Sequence, residues 1–79
     1  MAFQRDIQKN ATEVIRVEVS EYKGEKYFNV RIWYQDKNGE YKPTQKGVAI
    51  RSTSFAEFKN YVLEAEQELL ATDIQHEQQ

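Results

Sequence analysis

Seventy-nine residues make one domain, and a chain of that size buries only a small core of its own. It has no cysteine and one histidine, His76 in a polar tail, so neither disulfides nor thiolate or multi-imidazole metal sites are open to it; no cofactor is expected, and self-association is the remaining supplement to stability. The net charge of −2 hides a split: residues 1–51 carry ten Lys and Arg against seven Asp and Glu, whereas residues 52–79 carry Lys59 alone against six acidic side chains. Such a split marks either an interaction surface or a solvated helix face. No apolar run is long enough to span a bilayer and the first ten residues lack the apolar stretch of a signal peptide, so the cytosol is the expected compartment.

Residues 1–11 are polar and aperiodic, which predicts a flexible arm ahead of a domain over 12–72. From Glu13 the pattern alternates. Ile15, Val17 and Val19 point one way and Arg16, Glu18 and Ser20 the other, which predicts a half-buried strand. Tyr22-Lys23-Gly24-Glu25 then supplies a turn. The next strand, from Lys26, has Phe28, Val30 and Ile32 on one face and Tyr27, Asn29, Arg31 and Trp33 on the other. Asp36-Lys37-Asn38-Gly39 is a strong reverse-turn signal, because Asn and Gly accept positive φ. A short third strand at Glu40-Tyr41-Lys42 is expected to stop at Pro43, and Thr44 to Gly47 to lead into a fourth, Val48-Ala49-Ile50. After Arg51 the period changes. Ser54 with Glu57 predicts a capping box, and Phe55, Phe58, Val62, Ala65 and Leu69 form one helical stripe to about Ala71. Leu63 and Leu70 lie on a neighbouring line. One sheet face covers one side of a helix, so these two are the candidate dimer contacts, unless they only widen the core stripe. Residues 73–79 are expected to fray. The fold class is therefore α+β, a four-stranded antiparallel sheet followed by one helix (ββββα), working as a homodimer.

The sequence offers no catalytic nucleophile–base pair, phosphate-cradling Gly-rich loop or metal-ligand cluster, and an enzyme is not expected. The polar face of the sheet is unusual instead. It sets Tyr27, Asn29, Arg31 and Trp33 in a row, with Tyr22, Tyr34 and Tyr41 nearby and Arg16, Lys23, Lys26, Lys42 and Lys46 on strands or turns. Exposed aromatics call for a cover, and nucleic-acid bases provide one by stacking while cations neutralise phosphates. The acidic helix suits no duplex groove. Single-stranded DNA is the leading partner. Single-stranded RNA stays open because nothing reports on a 2′-hydroxyl, and so do an adaptor role in which the aromatic face receives a polypeptide and a purely structural role in which that face is buried as core against another sheet or a dimer mate.

The order and spacing of Tyr22-Lys23-Gly24, of Asn29-Val30-Arg31, of Asp36 to Gly39 with Glu40-Tyr41-Lys42-Pro43, and of Lys46-Gly47-Val48-Ala49-Ile50 carry a resemblance that spans about residues 14–70. They resemble the transcriptional coactivator positive cofactor four (PC4) family, more narrowly its small bacterial YdbC-type members. The resemblance implies a ββββα protomer dimerised partly through its helices, with a groove for single-stranded DNA on each sheet, in transcription, replication or repair. In a bacterium that means a nucleoid-associated protein. It also implies that Tyr22 stacks on a base, that Lys23 and Arg31 contact the backbone, that Lys42 and Lys46 stand for the family's two lysines of the long hairpin, and that Gly47 keeps the strand entry open. Two positions depart from the family. Glu25 stands where the family has a second lysine, which leaves Lys26 as the substitute. The family's stacking Trp falls on Tyr34, one place after Trp33, so both are carried as candidates. The Ser- and Lys-rich arm of eukaryotic members is missing, and their coactivator role is not carried over.

Overall fold

Alternating apolar residues and two tight turns build most of the sheet. The computed structural model describes residues 3–76, with strands β1 (Gln4–Gln8), β2 (Glu13–Tyr22), β3 (Glu25–Gln35) and β4 (Tyr41–Arg51) and one helix, α1 (Ser52–His76). The strands form an antiparallel sheet in the order β1-β2-β3-β4, so the expected ββββα fold holds. Its strands are composed differently from the expectation in two places.

First, the segment expected as an arm contains β1. Asp6 pairs with Arg16 and Ile7 with Ile15. The Asn10 side chain closes the connection by accepting the backbone N–H groups of Thr12 (3.0 Å) and Glu13 (2.9 Å). Second, the expected third and fourth strands are one strand. Pro43 does not stop it, because β4 is an edge strand where a missing N–H costs no ladder bond on its open side. The break comes at a bulge instead. Arg31 pairs with Gly47 and Trp33 with Pro43, so Thr44, Gln45 and Lys46 stand opposite Ile32 alone. Thr44 fills the gap: its hydroxyl donates to the Ile32 carbonyl (2.8 Å) and accepts from the Lys46 N–H (3.1 Å).

The β2–β3 hairpin turns on Lys23 and Gly24, both at positive φ (53° and 82°), which is the two-residue turn whose twist suits a hairpin. In the β3–β4 turn the Asp36 carboxylate accepts the N–H groups of Asn38 (2.8 Å) and Glu40 (2.9 Å), with Gly39 at φ 84°.

Pairing and alternation divide the side chains between two faces. Ile7, Ile15, Val17, Val19, Phe28, Val30, Ile32, Val48 and Ile50 share the face toward α1. Val14, Arg16, Tyr27, Asn29, Arg31, Trp33, Tyr41 and Gly47 share the other. The helix starts at Ser52, two residues before the expected cap, so Ser54 sits inside its first turn. Phe55 and Phe58 dock on Phe28, with ring centroids 5.0 and 5.9 Å away. The expected stripe parts from the sheet there, for Val62 and Leu69 are exposed, as are Leu63 and Leu70. The helix runs on to His76 through part of the stretch expected to fray; residues 77–79 lie outside the described residues.

Gly47 marks the closest approach of two strands. A Cβ there would sit 2.7 Å from the Val30 carbonyl oxygen and 2.8 Å from Cα of Arg31, both on the backbone of β3. Gly47→Ala is therefore expected to destabilise the fold by about 1–3 kcal/mol, the usual cost of overpacking. Thermal melting checks this, and an unchanged midpoint would show that β4 moves aside freely.

Candidate nucleic-acid interface

The candidate residues fall into two clusters at opposite ends of the sheet and a third group in the middle of the face away from α1. At the end carrying the β3–β4 turn, Tyr34 pairs with Lys42 and, across β2, with Glu13. Tyr34 lies on the helix side of the sheet, but α1 does not reach this end and its side chain is 42% exposed. Lys46 lines a shallow cavity on the same side with Ile15, Val30, Ile32 and Val48. Lys42 ion-pairs with Asp36 at 3.7 Å and Lys9 with Glu13 at 3.3 Å. Both carboxyls are held below the usual carboxylate range. For Asp36 the main cause is the Glu40 backbone N–H, and for Glu13 the Asn10 side-chain amide.

At the other end Tyr22 is 63% exposed, and Lys23 reaches back over its ring, with Nζ 5.4 Å from the centroid. The left-handed backbone at Lys23 puts these two side chains together. Lys26 is exposed at the same end but on the helix side, where it lines a shallow cavity with Val19, Phe28 and Phe55. Glu25 receives the Tyr27 hydroxyl (3.1 Å) and faces Arg51 at 3.9 Å, so the residue replacing the family's lysine is partly neutralised from its own surroundings.

The middle of the sheet differs from the exposed row that the sequence suggests. Trp33 is half-buried, with the Arg16 guanidinium 4.2 Å over its ring; the same guanidinium lies 5.6 Å from the Tyr41 centroid. Arg16 donates from Nε and Nη2 to the two Asp6 carboxylate oxygens, at 2.9 and 3.1 Å. Val14, which pairs with Trp33, is the only hydrophobic residue in the buried class among those described, at 2% exposure. Arg31 spends one N–H on the Thr44 carbonyl (2.9 Å). Asn29 donates to the Ser20 hydroxyl (2.8 Å). The described ion pairs engage Lys9, Arg16, Lys42 and Arg51, and not Lys23, Lys26, Arg31 or Lys46.

β3 stays regular through this region and the bulge lies in β4, so Trp33 and Tyr34 keep to opposite faces. Asp6 and Thr44 were not singled out from the sequence. Asp6 lacked a signal because its strand has no clear period, and Thr44 because a bulge leaves no mark in composition. Among the described residues no group of three or more His, Cys, Asp or Glu is placed to hold a metal ion, and no helix is long and apolar enough to cross a membrane.

Residues 9–61 match the family described as transcriptional coactivator p15 (PC4). Among solved structures the chain is similar to a PC4 homologue from Burkholderia pseudomallei K96243, with 36% identity and a TM-score of 0.72 over 81% of this chain and 86% of that one. It is also similar to a bacteriophage T5 homologue of the eukaryotic coactivator PC4, implicated in recombination-dependent DNA replication, with 26% identity and a TM-score of 0.68 over 91% and 80% of the two chains. MoSub1, solved as a complex with single-stranded DNA, shares the fold at 23% identity, with a TM-score of 0.64 over 87% and 80%. No curated protein sequence matches the chain significantly.

The β3–β4 turn carries a pH dependence of known sign. Because the folded-state pKa of Asp36 lies below its ordinary value, its stabilising bonds are fully present above about pH 4, the unfolded range, and are lost as pH falls through the lowered folded value. Asp36→Ala should lower the melting temperature at neutral pH, and its difference from wild type should shrink at about pH 2.5. A difference that stays constant over that range would contradict the assignment.

Proposed function

The chain belongs to the transcriptional coactivator p15 (PC4) family, and from that membership we propose that it binds single-stranded DNA sequence-tolerantly, as a homodimer, in transcription, replication or repair. The observation that carries this reading is an exposed tyrosine next to a lysine at both ends of the sheet: Tyr22 with Lys23, and Tyr34 with Lys42, its register partner on β4. Each tyrosine offers a π-face to a base and each cation a partner to a phosphate. Stacking and phosphate contact carry little base information, which makes the binding tolerant of sequence. Lys42 is freed for a phosphate once its loose 3.7 Å pair with Asp36 opens, and Lys46 lies farther along β4 outside the described ion pairs. Of the two stacking candidates Tyr34 is the better placed, because the guanidinium of Arg16 already covers Trp33.

The helix supports the homodimer and argues against duplex recognition. Beyond Phe58 it carries Tyr61, Val62, Leu63, Leu69 and Leu70 to solvent, while Val48 and Ile7 lie open on the sheet. A second copy of the chain buries these apolar side chains. The charges of α1 are mainly acidic, with Lys59 against Glu57, Glu64, Glu66 and Glu68, so it repels a phosphate backbone.

Fluorescence-polarisation titrations with single-stranded DNA, single-stranded RNA and duplex DNA of equal length test the reading, and the single strand of DNA should bind more tightly than the duplex. Lys46→Ala should reduce the steepness of the log-affinity against log-salt line by about 0.7, the share of one single-strand phosphate contact. Tyr22→Ala and Tyr34→Ala should each cost about 1–3 kcal/mol with that slope nearly unchanged, since stacking releases few counterions. Equal or stronger duplex binding would overturn the proposal, and tighter binding of RNA would move it to that partner.

A further inference from the structure

On the face away from α1, Arg16 and Arg31 are direct cross-strand partners in the β2–β3 register. Side chains so placed stand about 5 Å apart at Cβ, and like charges there repel. The two arginines are treated differently by their surroundings. Asp6, the register partner of Arg16 on β1, receives both Nε and Nη2 in the two-pronged geometry that fits a carboxylate to a guanidinium. The guanidinium so held sits 4.2 Å over the Trp33 ring, and its side chain is only 12% exposed. Its pKa is raised above the already high guanidinium value, first by the hydrogen bonding to Asp6, so it stays charged throughout. Beneath it Trp33 is enclosed far enough that Nε1 is buried and meets no acceptor among the described residues. Arg31 has no carboxylate among the described ion pairs and commits one N–H to the Thr44 carbonyl.

We propose that Asp6 is a positioning residue of the single-strand site: by clamping Arg16 over Trp33 it withdraws that arginine from phosphate contact and leaves Arg31 as the phosphate-facing cation of this face. The inference rests on the single-stranded DNA reading given above and deepens it by assigning different roles to two neighbouring arginines that look equivalent in the sequence. The N-terminal strand thereby becomes part of the binding site without touching the nucleic acid. Arg16 and Trp33 form one closed plate with Tyr41 and Val14, and the stacking of bases is left to Tyr22 and Tyr34.

The test uses the full chain and has two independent readouts. The first needs no nucleic acid: Trp33 is the only tryptophan, so its emission reports on the clamp alone. Asp6→Ala should shift the emission to longer wavelength and raise its quenching by acrylamide, while Asp6→Glu, which keeps a carboxylate, should restore the wild-type spectrum. The second readout is the salt dependence of binding to an oligothymidine. Arg31→Gln should lower its slope by about 0.7, and Arg16→Gln should leave the slope unchanged. In the Asp6→Ala background the slope should steepen by about 0.7 as Arg16 is released to a phosphate, and adding Arg16→Gln should cancel that gain. The proposal is overturned if Arg16→Gln alone removes one phosphate contact from the otherwise wild-type protein, or if Asp6→Ala leaves the Trp33 emission unchanged. The first criterion holds even where Asp6→Ala does not fold. If wild-type protein fails to bind the oligothymidine, the functional reading falls, while the emission of Trp33 still decides whether Asp6 holds the clamp.

Discussion

The constraint on which the rest of this structure depends is that one copy of the chain closes no core. Of its described hydrophobic residues only Val14 reaches the buried class, and Val14 lies on the face away from the helix. The face that should hold the core meets α1 through the Phe28, Phe55 and Phe58 cluster, and beyond it the helix parts from the sheet. Aromatic contacts of this kind contribute about 0.5–1.5 kcal/mol each beyond the area they bury, too little to order a four-stranded sheet. Val48, Val62, Leu69 and Leu70 stay more than two-fifths exposed. In the proposed homodimer a second copy supplies the missing cover, which would make association a condition of folding as well as of binding.

The same shortage explains why the opposite face is only partly available for recognition. A small sheet with little hydrophobic burial gains from any closed packing, and Trp33, Tyr41, Val14 and the aliphatic stem of Arg16 form such a packing around the bidentate pair with Asp6. Apart from Arg31, the exposed candidates lie at the two ends of the sheet, where turns rather than packing set the side chains. Lys23 adopts a left-handed backbone that most residues avoid, and this places its ammonium at the Tyr22 ring. Asp36 fastens the other turn and at the same time tethers Lys42. Exposed tyrosines at the rim and packing in the middle fit the proposed division between stacking tyrosines and an enclosed tryptophan.

Much of the fold was legible because its signals are local. Ile15, Val17 and Val19 alternate cleanly, as do Phe28, Val30 and Ile32, and the turns at Lys23-Gly24 and Asp36 to Gly39 carry residues that accept positive φ. Three features were not legible, each for a physical reason. Pro43 reads as a strand breaker, but on an edge strand its missing N–H is harmless, and the interruption moved to a bulge held by Thr44. β1 is short and almost entirely polar, and its place in the sheet comes from the Asx-type closure at Asn10 and from the Asp6–Arg16 pair, neither of which has a periodic signature. The row of aromatic and basic residues on β3 was visible, but alternation assigns a face without saying whether a neighbouring strand has already covered it. For Trp33 one has, through Arg16, and for Tyr34 none has.

The claim that a single chain cannot close its own core is tested most directly by urea unfolding at protein concentrations spanning about a hundredfold. Unfolding that is coupled to dissociation must shift with concentration by mass action. The account predicts a midpoint that rises steadily with concentration, together with a dimeric mass by sedimentation before the transition. A midpoint independent of concentration, in a protein that sediments as a monomer, would contradict it.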